Sequence, residues 1–138
     1  MNAKCFLRQV KKIDLLIKNK QIEIRQWKDL AETTTSNLEG ERVLSSHNPH
    51  KNADAICAYI DIEQEIRADI EQLKIAKKDV LQVIEQLDAL EYDVLHQVYI
   101  QHVDLTDVAE HYKKTYSWVT TIHGQAVKHV QDILNRRG

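Results

Sequence analysis

Glycine and proline are nearly missing from this chain, with 3 and 1 among 138 residues. That leaves little material for tight turns. It argues for a few long helices and against many short strands. Long apolar runs are missing too. None approaches the ~20 residues of a membrane span, and the N-terminus lacks the apolar stretch of a signal peptide. Cys5 and Cys57 are the only cysteines, far apart and without a CxxC context. They are expected to be free thiols in a reducing cytosol. No GxSxG, Gly-rich phosphate loop or HExxH occurs, so no catalytic residues are predicted. His47/His50, His96/His102 and His123/His129 can pair by spacing. No Cys or carboxylate joins them at ligand spacing, and zinc needs about three or four convergent ligands. No metal and no cofactor are expected.

What is present is helical periodicity. Phe6, Val10, Ile13, Ile17, Lys20, Ile24, Trp27 and Ala31 follow at steps of four and three. That heptad seam predicts a first helix from about Ala3 to about Thr33. Thr33 to Asn37 loses the period and favours exit from the helix. Residues 38–48 read as a loop. Asn48-Pro49, or Ser45 or Ser46, supplies the cap of the next helix. A second seam of Ile56, Tyr59, Glu63, Ile66, Ile70, Leu73, Lys77, Val80, Ile84 and Leu87 predicts a helix over 49–87. Two such helices should fold back as an antiparallel hairpin. A third helix is expected over about 91–101. The expected fold is therefore all-α: a coiled-coil-like hairpin in residues 1–88, then a helical bundle in residues 89–138.

The most informative stretch is Leu105–Ile122. It reads as a helix-turn-helix, with helices over about Leu105–Tyr112 and Ser117–Leu134. Val108, Ala109, Tyr112, Val119 and Ile122 occupy its core positions, and Ala109 lets the two helices approach. The turn position that favours glycine holds Lys113, which can take a positive φ at a cost of roughly 1 kcal/mol or more. Thr115 or Ser117 caps the second helix. The outward residues are then Tyr116, Ser117, Trp118, Thr120, Thr121, Gln125 and Lys128. Thr suits base edges and the thymine methyl, Gln suits adenine, and Lys suits guanine or phosphate. Lys113 and Lys114 suit phosphates. Trp118 reads either as core or as a stacking residue.

Charge sets a limit on this reading. The net charge is −2. Residues 1–37 carry 8 Lys/Arg against 4 Asp/Glu, and residues 105–138 carry 5 against 3. A lone copy of so mildly basic a segment should hold DNA weakly. The hairpin is expected to add binding energy by forming a homodimer or by docking on RNA polymerase. The alternative is a coiled-coil adaptor that binds a protein partner and reads no DNA.

The chain also resembles small proteins of phages and prophages of Gram-positive bacteria. The resemblance rests on Phe6-Leu7, Lys11-Lys12-Ile13-Asp14, Ser45-Ser46, Ile60–Ile66, Trp118-Val119 and His123-Gly124-Gln125-Ala126. Its C-terminal block looks like region 4 of bacterial sigma-70 factors and is similar to ArpU-type late-transcription regulators. The resemblance implies a transcription regulator in the bacterial cytoplasm that binds double-stranded DNA. It implies that Thr115 is the cap and that Trp118, Thr120 and Thr121 face DNA. Sigma region 4 usually carries several Arg at those positions, where this chain has Trp and Thr.

Overall fold

A computed structural model describes the backbone of residues 1–40 and 49–138, and the side chains of residues 1–33 and 53–138. The protein is all-α. Its helices are α1 (Ala3–Gly40), α2 (Pro49–Ile84), α3 (Ala89–Leu95), α4 (Leu105–Tyr112) and α5 (Tyr116–Arg137). A π-helical turn, His96–Ile100, extends α3. No strand occurs among the described residues, and no helix there is long and apolar enough to cross a membrane.

Local chemistry explains most helix ends. Asn2 starts α1: its side-chain oxygen accepts the Lys4 N–H at 2.8 Å. Pro49 opens α2, where its missing N–H does no harm. Two boundaries differ from those expected. The helix predicted to leave near Thr33 runs on to Gly40. Thr, Ser and Asn each cost at most about 0.7 kcal/mol relative to Ala and forbid no helical dihedral, so α1 continues through them. At the other end, the last helix was expected to end near Leu134, yet α5 includes Arg136 and Arg137. Arg137 is held by two bonds to the Asp79 carboxylate, at 2.6 and 3.1 Å. The expected caps at Ser45, Ser46 and Asn48 lie outside the described residues, as do most of the expected loop and the side chains of His47 and His50.

Contacts separate the chain into two compact units. One contains Met1–Leu15 with Lys74–Gly138, the other Leu16–Leu73. This differs from the division expected at residue 88. The heptad seams run unbroken along α1 and α2, but the residues they pack on change along the way, and periodicity cannot show that.

In the first unit, Phe6, Leu7 and Val10 of α1 pack with Val80, Val83 and Ile84 of α2, Leu95 of α3, and Ala126, Val130 and Ile133 of α5. Leu7, Val10, Val80, Val83, Ile84, Leu95 and Val130 are fully buried, each contributing roughly 1.5–3 kcal/mol. The N-terminus is tied down as well. Ala3 N–H donates to Gln131 Oε1 at 2.8 Å, and Gln131 Nε2 donates to the Met1 carbonyl at 3.0 Å.

In the second unit, Ile17 and Ile24 of α1 pack with Ile62, Ile66 and Ile70 of α2. Lys20 meets Asp69 at 3.3 Å. Trp27, Leu30 and Ala31 share a cavity of about 150 Å3 with Ala55, Ala58, Tyr59 and Ile62. Residue numbers thus rise along one segment as they fall along the other. Of the polar seam residues, Lys20 pairs across the helices, while Glu63 pairs with Arg67 one turn along α2 at 2.7 Å.

Candidate nucleic-acid interface

The residues singled out in Leu105–Ile122 gather on α4, the turn after it and the first turns of α5. α5 packs against both α3 and α4. A small apolar cluster sits among them: Val94 of α3, Val108 and Ala109 of α4, and Val119 of α5, flanked by Tyr112, Trp118 and Ile122. All five core positions expected from the sequence belong to it.

The turn is closed by backbone geometry. Lys113 takes the left-handed conformation, φ 55° and ψ 42°. Its N–H donates to the Glu110 carbonyl at 3.1 Å, and the Lys114 N–H donates to Ala109 at 3.0 Å. That pair of bonds is the Schellman closure, which normally places glycine at the left-handed residue. The chain then enters α5 through Thr115, whose Oγ1 accepts the Trp118 N–H at 3.1 Å. Thr115 is therefore the cap, and Ser117 lies one residue inside the helix.

Lys113, Lys114, Thr115, Tyr116 and Ser117 are exposed around this turn, Tyr116 at 56 %. Trp118 lies between core and surface. It is half-buried against the small cluster, its ring 5.7 Å from that of Tyr112, and Lys114 Nζ lies 5.8 Å from its centroid. Ser117, Thr121, Gln125 and Lys128 are exposed and follow one another at steps of four, four and three, which puts them on one side of α5. Thr120 is half-buried at the edge of that face. The hydroxyls of Thr120 and Thr121 both donate to the Ser117 carbonyl at 2.9 Å. A carbonyl can only accept, so each threonine's single donor is engaged with the helix backbone. Gly124 lies exposed on the same side, with open space where a Cβ would stand.

Polar contacts beneath the helices fix their placement. The Asp93 carboxylate of α3 accepts the Tyr112 hydroxyl and the Gln97 amide, the latter at 2.8 Å. Gln97 is buried, so this bond removes the cost of an unsatisfied amide. Buried Glu91 holds His129 Nδ1 through both oxygens at 2.6 and 2.8 Å, joining α3 to α5. The Tyr99 hydroxyl and His123 Nε2 are 2.8 Å apart. Burial pushes His123 below the ordinary histidine range, and the cations Lys4 and Arg8 push it further. Burial also raises the Tyr99 phenol above its ordinary value.

A second carboxylate, Asp14 of α1, takes Lys77 Nζ at 2.7 Å and His102 Nε2 at 2.8 Å. Burial raises its pKa, but the bonds and charges of Lys77 and His102 outweigh that and hold it below the usual carboxylate value. Among the described residues, His102 is the other non-glycine residue at positive φ, 59°. It follows the π-helical turn, which the Gln101 N–H closes on the His96 carbonyl at 2.9 Å.

Among the described residues, the histidines of the pairs His96/His102 and His123/His129 do not converge. His96 engages Gln101, His102 engages Asp14, His123 engages Tyr99 and His129 engages Glu91. Among the described residues no three His, Cys, Asp or Glu side chains are placed to hold a metal ion. Both cysteines are exposed and free.

Sequence reading missed Lys4 and Arg8, which share this unit and act electrostatically on His123 of α5. The available signal was the spacing Lys4, Arg8, Lys11 along one side of a helix, in a segment rich in basic residues. Comparison with known protein families, with curated proteins and with solved structures gives no match.

Proposed function

We propose that this chain is a non-catalytic, sequence-specific transcription regulator of phage or prophage type, acting in the bacterial cytoplasm, with α5 as its DNA-reading helix. The observation that carries the proposal is the exposed polar side of α5, Ser117, Thr121, Gln125 and Lys128, set beside a turn closed at Lys113 and capped by Thr115. A helix anchored on its apolar side and polar on the other suits the major groove. Lys113, Lys114 and Tyr116 stand where phosphates flank such a helix, while Trp118 and Thr120 border it. The partner is double-stranded DNA.

Exposed Trp27, Leu30, Ile56 and Ile60 in the second unit support a protein contact as well. A second copy of the chain would place two α5 helices about one DNA turn apart, and RNA polymerase would serve as a docking platform. A gel shift on late-gene promoter DNA at two salt concentrations, with and without polymerase, tests the proposal. A salt-sensitive specific complex is expected, and its absence under both conditions sinks it.

The same exposed apolar side chains favour a second reading, an adaptor that binds protein alone. The triple variant Thr120→Glu, Thr121→Glu, Lys128→Glu separates the two. DNA retention disappears under the first reading. Under the second, capture of the protein partner is unchanged and there is no DNA retention to lose.

A further inference from the structure

The first turns of α1 lie against α5. Ala3, Phe6, Leu7 and Val10 pack in one cluster with Ala126, Val130 and Ile133. The two bonds from Gln131 to Ala3 and Met1 lock the start of α1 in place. That packing brings with it the neighbouring side of α1, on which Lys4, Arg8 and Lys11 follow at steps of four and three. All three are exposed, and among the described residues none has an ion-pair partner.

Two other cations in the same unit are engaged: Lys77 with Asp14, and Arg137 with Asp79. Asp14, the one acid in residues 1–15, is occupied by Lys77 and His102. Nothing described in the chain neutralises the row. Two members of the row, Lys4 and Arg8, act electrostatically on the His123 imidazole of α5. That histidine is held neutral, so it adds no charge of its own.

We propose that Lys4, Arg8 and Lys11 form a second DNA contact surface, engaging backbone phosphates beside the groove that α5 enters. The proposal rests on the reading of α5 as the DNA-contacting helix. It supplies the charge that the motif segment lacks, and it does so from within one chain. Contacts to phosphate position a protein without reading sequence, so this surface sets affinity and salt dependence and leaves base preference alone.

The test uses the full chain and three proteins: unmodified, the triple variant K4Q/R8Q/K11Q, and a charge-matched control, K18Q/R25Q/K78Q. Dissociation constants are measured over a range of salt on a site selected from random duplex DNA. Each lost phosphate contact lowers the slope of log K against log salt by about 0.9, so the triple variant should lose about 2.7. It should select the same site, and the control should keep the original slope. Thermal melting checks that all three are folded. An unchanged slope in the triple variant, with specific binding intact, overturns this surface and leaves α5 as the reader. An equal loss in the control also overturns it, since net charge alone is then responsible. Absence of salt-dependent DNA binding by the unmodified protein overturns the function and this surface together.

Discussion

Replacing Lys113 with glycine separates how the turn folds from how it is used. Lys113 sits at φ 55° with a Cβ that this region penalises by roughly 1–2 kcal/mol. Glycine removes the penalty but has more freedom to lose on folding, which returns roughly 0.5–1 kcal/mol. Among the described residues the lysine ammonium has no ion-pair partner, so nothing else is lost from the fold. The net expectation for Lys113→Gly is a gain of about 0.5–1 kcal/mol, or about 1–4 °C in melting temperature for a chain of this size. On DNA the sign reverses. One phosphate contact disappears, the salt slope falls by about 0.9 and affinity drops. Calorimetry on the free protein and a salt series on the complex read the two effects separately. A variant that melts lower refutes the claim that this turn stores strain. A variant that binds DNA with an unchanged slope refutes the phosphate contact.

Ala109→Leu forces extra volume between α4 and α5 beside buried Val119, and should cost about 1–3 kcal/mol with loss of DNA retention, both measurable by urea melts and gel shift. Asp14→Asn should flatten the acid limb of the stability curve. The Asp14 pKa is depressed in the fold, so its contribution is present above the unfolded value of 3.8 and is lost as pH falls through the folded value. Urea melts at about pH 7 and about pH 3 should show the unmodified protein ahead at the first and the two proteins converging at the second. Arg137→Ala removes both bonds to Asp79, so amide exchange should accelerate in the last turn of α5 while Val119 stays protected.

Where local chemistry decides a feature, the sequence reveals it. The positive φ of Lys113, the span of α4 and the small cluster around Val119 all follow from spacing and turn residues within Leu105–Ile122. Thr115 and Ser117 were equal candidates on residue type alone. The backbone separates them, because only Thr115 has the extended dihedrals of a cap. Where a feature depends on distant partners, pattern is silent. The seam of α1 gives no sign that Phe6 and Val10 pack on α5 while Ile24 packs on Ile66. Nor does a His-Gln-Val sequence announce a π-helical turn, or a run of Thr show that a helix passes through it. The engaged hydroxyls of Thr120 and Thr121 are invisible in sequence for the same reason: rotamers are set by the folded helix.

The Asp14 carboxylate has a consequence for the order of folding. Its two partners lie 63 and 88 residues away along the chain. The Schellman turn at Lys113 closes over six residues, from Ala109 to Lys114. Short closures cost less chain entropy and form sooner. The α4 turn can therefore form early, whereas the contact that supports His102 in its left-handed conformation must wait until α1 arrives. In stopped-flow experiments Asp14→Asn should then speed unfolding and leave the refolding rate unchanged, with a φ-value near zero. A variant that slows refolding instead would place α1 in the folding nucleus. By this reasoning the link between α3 and α4, with its π-helical turn, is the last part of the first unit to form and the first to open.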